Sequence, residues 1–353
     1  MSSRVLIIGQ GIAGTTLAFR CLQAGFRPTI IDSGMIGSAS HVAVGLVNPI
    51  SLKRVTPVWE VENCLSSLYH FYTYIYGVLG VNFFVKESIS KVLKSQIDLN
   101  GWMEKIDMPV YEQYLRMPMK NETDRCIDGL AIGPVEGGGW IRTKEFLEAS
   151  RNYFIAEYLL LEERMDSEIL DFSPKGLHYH GEVFDYVVDC SGFAFVLNRY
   201  FPGVQIVGNK GEVMTISAND PPNESIYSSN YFLLRSDPSE YKVGATYSRD
   251  IRNPSPSEEG KAELTEGLRK FYKADFEVKG MEAGIRPTVV DRRPLIGQSP
   301  NDKRIAMLNG LGSRGYLTAP YLSDLLLRSL AHSVQIPMEV SCLRFLKGAS
   351  NSE

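Results

Sequence analysis

Apolar positions along this chain follow two rhythms. Short solid runs stand directly before glycine clusters, and longer stretches repeat an apolar residue every three or four positions. The first kind opens the chain. Arg4-Val5-Leu6-Ile7-Ile8 predicts a strand buried on both faces, Gly9-Gln10-Gly11-Ile12-Ala13-Gly14 a turn, and residues 15–24 a helix that Gly25 ends. A second strand over 28–31 delivers Asp32 to its end, eighteen residues after Gly14, which completes a βαβ unit. The pattern returns late in the chain, with a strand over 305–308, a second glycine turn over Gly310-Leu311-Gly312-Ser313-Arg314-Gly315, and a helix over 316–331.

The second rhythm runs through Val58, Val61, Leu65, Leu68, Tyr72, Ile75 and Leu79 and predicts a long amphipathic helix. Its aromatic residues Tyr69, Phe71, Tyr72, Tyr74 and Tyr76 are assigned to core packing. Alternating runs between 169 and 189, broken by Ser173-Pro174-Lys175-Gly176 and Gly181, predict a small antiparallel meander. It leads into a buried strand over 186–189 that ends in Cys190-Ser191-Gly192. His178 and His180 share one strand face with no third ligand nearby, so they are assigned to a solvated hairpin. Turn-rich breaks at 220–222 and 254–260 interrupt a region of alternating strands.

Composition narrows the class without selecting it. With 353 residues, 44% hydrophobic and 22% charged, two ordinary globular domains are expected. No stretch reaches the roughly 18 apolar residues of a membrane span. The five cysteines never form C-x-x-C, which argues against zinc and suits a reducing cytoplasm. A net charge of −4 offers no global attraction to a phosphate backbone, so a tRNA partner would need a local patch. Lys53, Arg54, Arg292, Arg293, Arg344 and Lys347 are the candidates, though scattered cations usually make a solvated surface.

The chemistry begins at the glycines. Gly9, Gly11 and Gly14 permit a tight turn, close approach of a pyrophosphate and packing of helix on strand, while the helix start supplies N–H donors and positive dipole. Asp32 is placed to accept from ribose hydroxyls and to repel a 2′-phosphate. Only 38 residues follow Gly315, without a strand bearing an acid roughly 20 residues on, so the second turn is expected to serve the far end of the same dinucleotide. Within the run from Glu282 to Gly297, Arg286 is a permanent planar cation. It suits a carboxylate clamp and a surface ion pair equally.

Other landmarks appear in fixed order. They are Ala39-Ser40-His41-Val42-Ala43-Val44-Gly45-Leu46-Val47-Asn48-Pro49, Glu136-Gly137-Gly138-Gly139-Trp140, Gly208-Asn209-Lys210-Gly211-Glu212-Val213 and Gly244-Ala245-Thr246-Tyr247. Together with the two turns and the arginine segment, they resemble the D-amino acid oxidase family of flavoproteins, which includes glycine and sarcosine oxidases. Leu311-Gly312-Ser313-Arg314-Gly315 with Ala319-Pro320 and Ile336-Pro337 is most similar to the oxidase half of bifunctional enzymes that build methylaminomethyl-uridine at the tRNA wobble position. The chain departs from those enzymes at His41-Val42 and in lacking their methyltransferase half.

The resemblance implies FAD as cofactor and an α/β fold. A Rossmann-like FAD-binding domain over 1–50, 140–202 and 300–353 would be joined to an α+β substrate domain on an antiparallel sheet over 51–139 and 203–299. It puts Gly9, Gly11, Ile12, Ala13, Gly14, Asp32 and Ser33 on the adenosine diphosphate, and Ser40, Gly45 and Leu46 near pyrophosphate and flavin. Met165 falls by the adenine. Cys190, Ser191, Gly192 and the run Gly310, Leu311, Gly312, Ser313, Arg314, Gly315 and Tyr316 flank the ring, where a helix start and Arg314 would stabilise negative charge on reduction. Arg286 matches the carboxylate-binding arginine and Tyr231 a carboxylate-binding tyrosine.

The implied reaction is oxidation of the carbon–nitrogen bond of an amine or amino acid bearing a carboxylate, by hydride transfer to flavin N5 without an obligatory protein base. Dioxygen or a quinone would take the electrons onward. Action on carboxymethylaminomethyl-uridine in tRNA, and flavin binding without turnover, are the alternatives.

Overall fold

The computed structural model describes residues 2–34, 38–121, 124–166, 168, 170–173, 176–218 and 220–346. Ile169, Pro174, Lys175 and Lys347 of the sequence reading therefore lie outside the described residues.

The apolar runs that precede glycines do form parallel strands. Leu160–Leu161, Arg27–Ile31, Arg4–Ile8, Tyr186–Asp189 and Ile305–Asn309 lie side by side in that order, all parallel, and Leu295–Gln298 closes the edge antiparallel to the last. Val5, Leu6, Ile7, Val187, Val188 and residues 305–308 are fully buried, as expected of strands covered on both faces. Leu295–Gln298, which precedes the domain boundary expected at 299/300, pairs with Ile305–Asn309 and lies in the first sheet.

Seven α-helices occur among the described residues: α1 Ile12–Gln23, α2 Ala39–Val42, α3 Val61–Leu79, α4 Gln96–Ile106, α5 Thr143–Ala156, α6 Glu258–Arg269 and α7 Gly315–His332. Both α1 and α3 pack on α7, so α3 shares the cofactor-side core although its segment was assigned to the substrate domain. Phe71 and Tyr72 of the aromatic run are buried there, whereas Tyr76 is exposed.

The second sheet has eight strands, ordered Phe276–Thr288, Val207–Ala218, Glu240–Gly244, Phe232–Asp237, Ile226–Ser228, Ile89–Leu93, Ala131–Val135 and Met119–Lys120. All its pairs are antiparallel except Ile226–Ser228 with Ile89–Leu93. Helix α6 covers one face, with Leu264 and Leu268 against Met214 and Ile216. It arises inside the segment read as turns: the Ser257 side chain caps Gly260 N, and Glu258 and Glu259 complement the helix dipole. The expected meander is a three-stranded antiparallel sheet of Asp171–Ser173, Gly176–Tyr179 and Glu182–Phe184. His180 in its hairpin faces Glu163 at 2.9 Å.

Phe146 of α5 ties these layers together. Its fully buried ring stands 6.3 Å from Phe71, 5.4 Å from Tyr72 and 5.5 Å from Phe83, centroid to centroid. Phe146→Ala is expected to cost about 3–5 kcal/mol. Denaturant titration of the holoprotein measures it, and a loss below about 1 kcal/mol would show that the α3–α5 contact does not hold the core.

Candidate active site

The carboxyl edge of the first sheet is built on backbone contacts that exclude side chains. Gly9 has φ +97°, and a Cβ on it would stand 2.8 Å from the Cys190 carbonyl oxygen. A Cβ on Gly14 would stand 1.8 Å from the Gly9 carbonyl oxygen, so α1 can approach its strand this closely only with glycine there. The first turn of α1, with buried Ile12 and Ala13, leaves N–H groups without intrahelical acceptors. Ser40 Oγ takes that of Ile12 at 3.0 Å, and a Cβ on Gly11 would touch the same oxygen.

Asp32 accepts from Gln10 N at 2.9 Å, Gly34 N at 2.7 Å and Arg151 Nη1 at 2.9 Å, which leaves acceptor capacity for a further hydroxyl. Arg151 also reaches Gln10 Oε1 at 3.1 Å and Glu162 at 3.0 Å. Nothing in the sequence marked it, because it arrives from α5, 119 residues away. Ser33 is exposed beside Asp32, and Met165 is half-buried against the second core cluster.

Around the other end, Gly45 has φ +70° and would clash through a Cβ with the Ile141 carbonyl at 2.3 Å, while Leu46 begins the strand Leu46–Val47. Cys190 meets the first turn by its backbone; burial pushes its thiol far above the ordinary range. The Ser191 hydroxyl is taken up locally, donating to Asp189 Oδ1 at 2.6 Å and accepting from Val196 N at 3.1 Å. Gly192, Gly310 and Gly312 have φ values of +62°, +67° and +57°. Asn309 joins these two turns, donating to the Gly192 carbonyl at 3.0 Å and accepting from Gly310 N at 2.8 Å. Leu311 is buried, Ser313 exposed, and Gly315 begins α7 with Ile12 so near that a Cβ would meet it at 3.1 Å. Two helix starts thus converge on one place. The Tyr316 side chain is buried in the core, and its hydroxyl donates to the Ser40 carbonyl at 2.8 Å, bracing α2.

Arg286 projects from Phe276–Thr288 across its neighbour strand. Its guanidinium lies where a Cβ on Gly211 would be, 2.0 Å from Nη2, which explains the glycine at 211. Nη1 donates to Asn209 Oδ1 and to the Thr246 carbonyl, both at 3.1 Å, and the Tyr247 ring lies 4.5 Å from the guanidinium carbon. Both Nη1 hydrogens are therefore used, and the Nε–Nη2 edge has no acceptor among the described residues. Burial lowers the pKa, yet a guanidinium remains charged.

Tyr231 does not join this group. Its hydroxyl donates to Glu263 of α6 at 2.7 Å and its ring packs on Gly267, on the opposite face of the sheet from Arg286. The tyrosine beside the arginine is Tyr247, which is 63% exposed and so free at one ring face. The loop bearing Tyr247 is held from behind: Thr246 Oγ1 accepts from Glu212 N at 2.9 Å, and Ser257 Oγ donates to Glu212 at 2.8 Å. Glu212 in turn pairs with buried Lys210 at 2.7 Å.

The signature of the FAD dependent oxidoreductase (DAO) family is matched over residues 4–328. The chain belongs to that family. The tRNA 5-methylaminomethyl-2-thiouridine biosynthesis bifunctional protein of Leptospira interrogans is 22% identical over 98% of this chain, and the chain spans 60% of that relative's length. Glycine oxidase of Bacillus subtilis is also 22% identical, with 91% of this chain and 92% of that protein covered. Among solved structures, iminodiacetate oxidase from Chelativorans sp. BNC1 superposes with a TM-score of 0.78 at 19% identity, over 95% of this chain and 98% of the other.

FAD is the cofactor of DAO-family oxidoreductases. The glycine cradle, the two helix starts and the spare acceptor capacity of Asp32 fit its dinucleotide. Of the cations collected as phosphate contacts, Arg344 is 10% exposed and paired with Asp291 at 2.7 Å, Arg293 lies over Trp59 at 5.9 Å, and Lys53, Arg54 and Arg292 are exposed. Asn309→Ala removes the link between the two turns and is expected to weaken FAD binding about tenfold. Fluorescence titration of the apoprotein with FAD reads this, and wild-type affinity would show that the link does not shape the cofactor site.

Proposed function

We propose that this DAO-family protein oxidises the carbon–nitrogen bond of a carboxylate-bearing amine. FAD, when bound, supplies the two-electron acceptor at N5. The observation that carries the reading is the free Nε–Nη2 edge of Arg286, a half-buried cation without an acidic partner among the described residues. Side-on, that edge matches a carboxylate with two parallel hydrogen bonds.

Asn209 and the Thr246 carbonyl fix the plane of the fork, Gly211 gives it room, and Tyr247 covers one face from water. Orientation of the substrate α-carbon then follows from its carboxylate, which is where most of the rate advantage in such a transfer arises. The imine leaves the site for hydrolysis by water to an oxo acid and an amine. The matched relatives and neighbours whose names state an activity include glycine oxidase, iminodiacetate oxidase and L-proline dehydrogenase, which supports this class. A tRNA wobble-uridine substrate is the second reading, favoured by the 98% coverage in the match to the bifunctional tRNA protein.

Anaerobic flavin absorbance tests both readings, with glycine, sarcosine, D-amino acids, proline and tRNA carrying carboxymethylaminomethyl-uridine added in turn. Bleaching by a small amine is the expected result; bleaching by the tRNA alone selects the second reading. Arg286→Met is expected to lower the reduction rate constant divided by Kd about 100-fold or more, whereas Tyr231→Phe, on the far face, leaves it within about threefold. Intact bleaching by Arg286→Met would remove the proposed site.

A further inference from the structure

One carboxylate needs one cation, and this site holds more. Arg314 is half-buried on the short turn Gly312–Arg314 ahead of α7, and among the described residues its guanidinium has no hydrogen bond or ion pair. Burial lowers its pKa; the charges that act on it are Tyr247, the ring that covers Arg286, and a further cation, Arg293. Arg293 lies over the Trp59 ring. The acid nearest in sequence, Asp291, is taken by Arg344 at 2.7 and 3.1 Å. The turn Gly312–Arg314 packs on the strand Phe276–Thr288 that carries Arg286, with Gly312 beside Thr288, and among the described residues neither guanidinium has a carboxylate partner. Withdrawing cations from water without a counter-charge is costly, and a ligand bearing matching anions removes that cost.

We propose that the substrate carries two anionic groups: the carboxylate held by Arg286 and a second, carboxylate or phosphoryl, that pairs with Arg314 on the adjoining turn. This deepens the reading above and rests on the carboxylate role of Arg286. It also gives Arg314 a role in selecting the substrate that differs from stabilising charge on the reduced flavin. A residue acting on the ring alone would shift the flavin midpoint potential and treat every ligand alike, whereas a distal anion site discriminates between one charge and two.

Non-reacting anions read the site without turnover. Perturbation of the flavin spectrum in the holoprotein is titrated with acetate, with malonate, succinate and glutarate, and with phosphonoacetate. The wild type is expected to bind at least one dianion about tenfold or more tightly than acetate. Preference for a dicarboxylate marks a second carboxylate in the substrate, and preference for phosphonoacetate marks a phosphoryl group. Arg314→Met should shrink the preference to within about threefold while acetate affinity changes by less than about threefold, and Arg314→Lys should keep part of it.

Equal binding of acetate and every dianion by the wild type overturns the proposal, and that result needs no variant to fold. Equal weakening of acetate and dianions in Arg314→Met overturns it too, since it would place Arg314 on the first carboxylate or on the ring. The two readings fail separately. Dianion preference with no bleaching by any amine removes the proposed reaction and leaves the anion site, whereas bleaching by amines without dianion preference removes only the second anion.

Discussion

The contact on which the rest of the molecule depends is the press of α1 against its own strand at Gly14 and Gly9. A Cβ at Gly14 would lie 1.8 Å from the Gly9 carbonyl oxygen, so any side chain there drives the helix off the sheet. With the helix seated, its first turn faces the carboxyl edge of the parallel strands, and α7 packs beside it with Gly315 on Ile12. Two helix dipoles then add at one point, which is what an anionic dinucleotide needs and what isolated helices cannot provide. Asn309 makes the edge continuous by joining the turn after Tyr186–Asp189 to the turn after Ile305–Asn309.

The second sheet divides its labour between faces. Toward α6 it buries Met214 and Ile216 with Leu264 and Leu268, and there it also hides the Lys210–Glu212 pair at 2.7 Å. Toward the first sheet it presents Arg286 over Gly211 with Tyr247 alongside. Glu212 connects the two faces, because its backbone N–H and carboxylate hold Thr246 and Ser257, the ends of the loop that carries Tyr247. A buried ion pair contributes little net stability, but removing one member leaves an uncompensated charge; such pairs are effective at fixing geometry.

Much of this architecture is legible along the chain. Solid apolar runs before glycines read correctly as parallel strands, since strands covered on both faces admit no polar alternation. The long three-and-four repeat read correctly as α3, although its partner, α7, lies more than two hundred residues away. Residues 254–260 misled, because Pro254 and Pro256 signal a turn while the capping Ser257 and the acids after it begin a helix. Tyr231 misled for a different reason. A position matched to a family site carries no information about which side of the sheet it meets, and Tyr231, just before the strand Phe232–Asp237, turns to Glu263 and Gly267 of α6.

By itself the sequence determined the cofactor cradle, because a glycine turn between a buried strand and a helix depends only on neighbouring residues and on backbone that tolerates no Cβ. It also singled out Arg286 as a cation able to clamp a carboxylate. Only the tertiary structure decided what surrounds that cation. Arg151 reaches Asp32 from α5, Asn309 links two distant turns, and Tyr247 comes to lie over Arg286. Those contacts join residues from some forty to more than a hundred positions apart in the sequence, and long-range packing, which no local pattern encodes, is what brings them together.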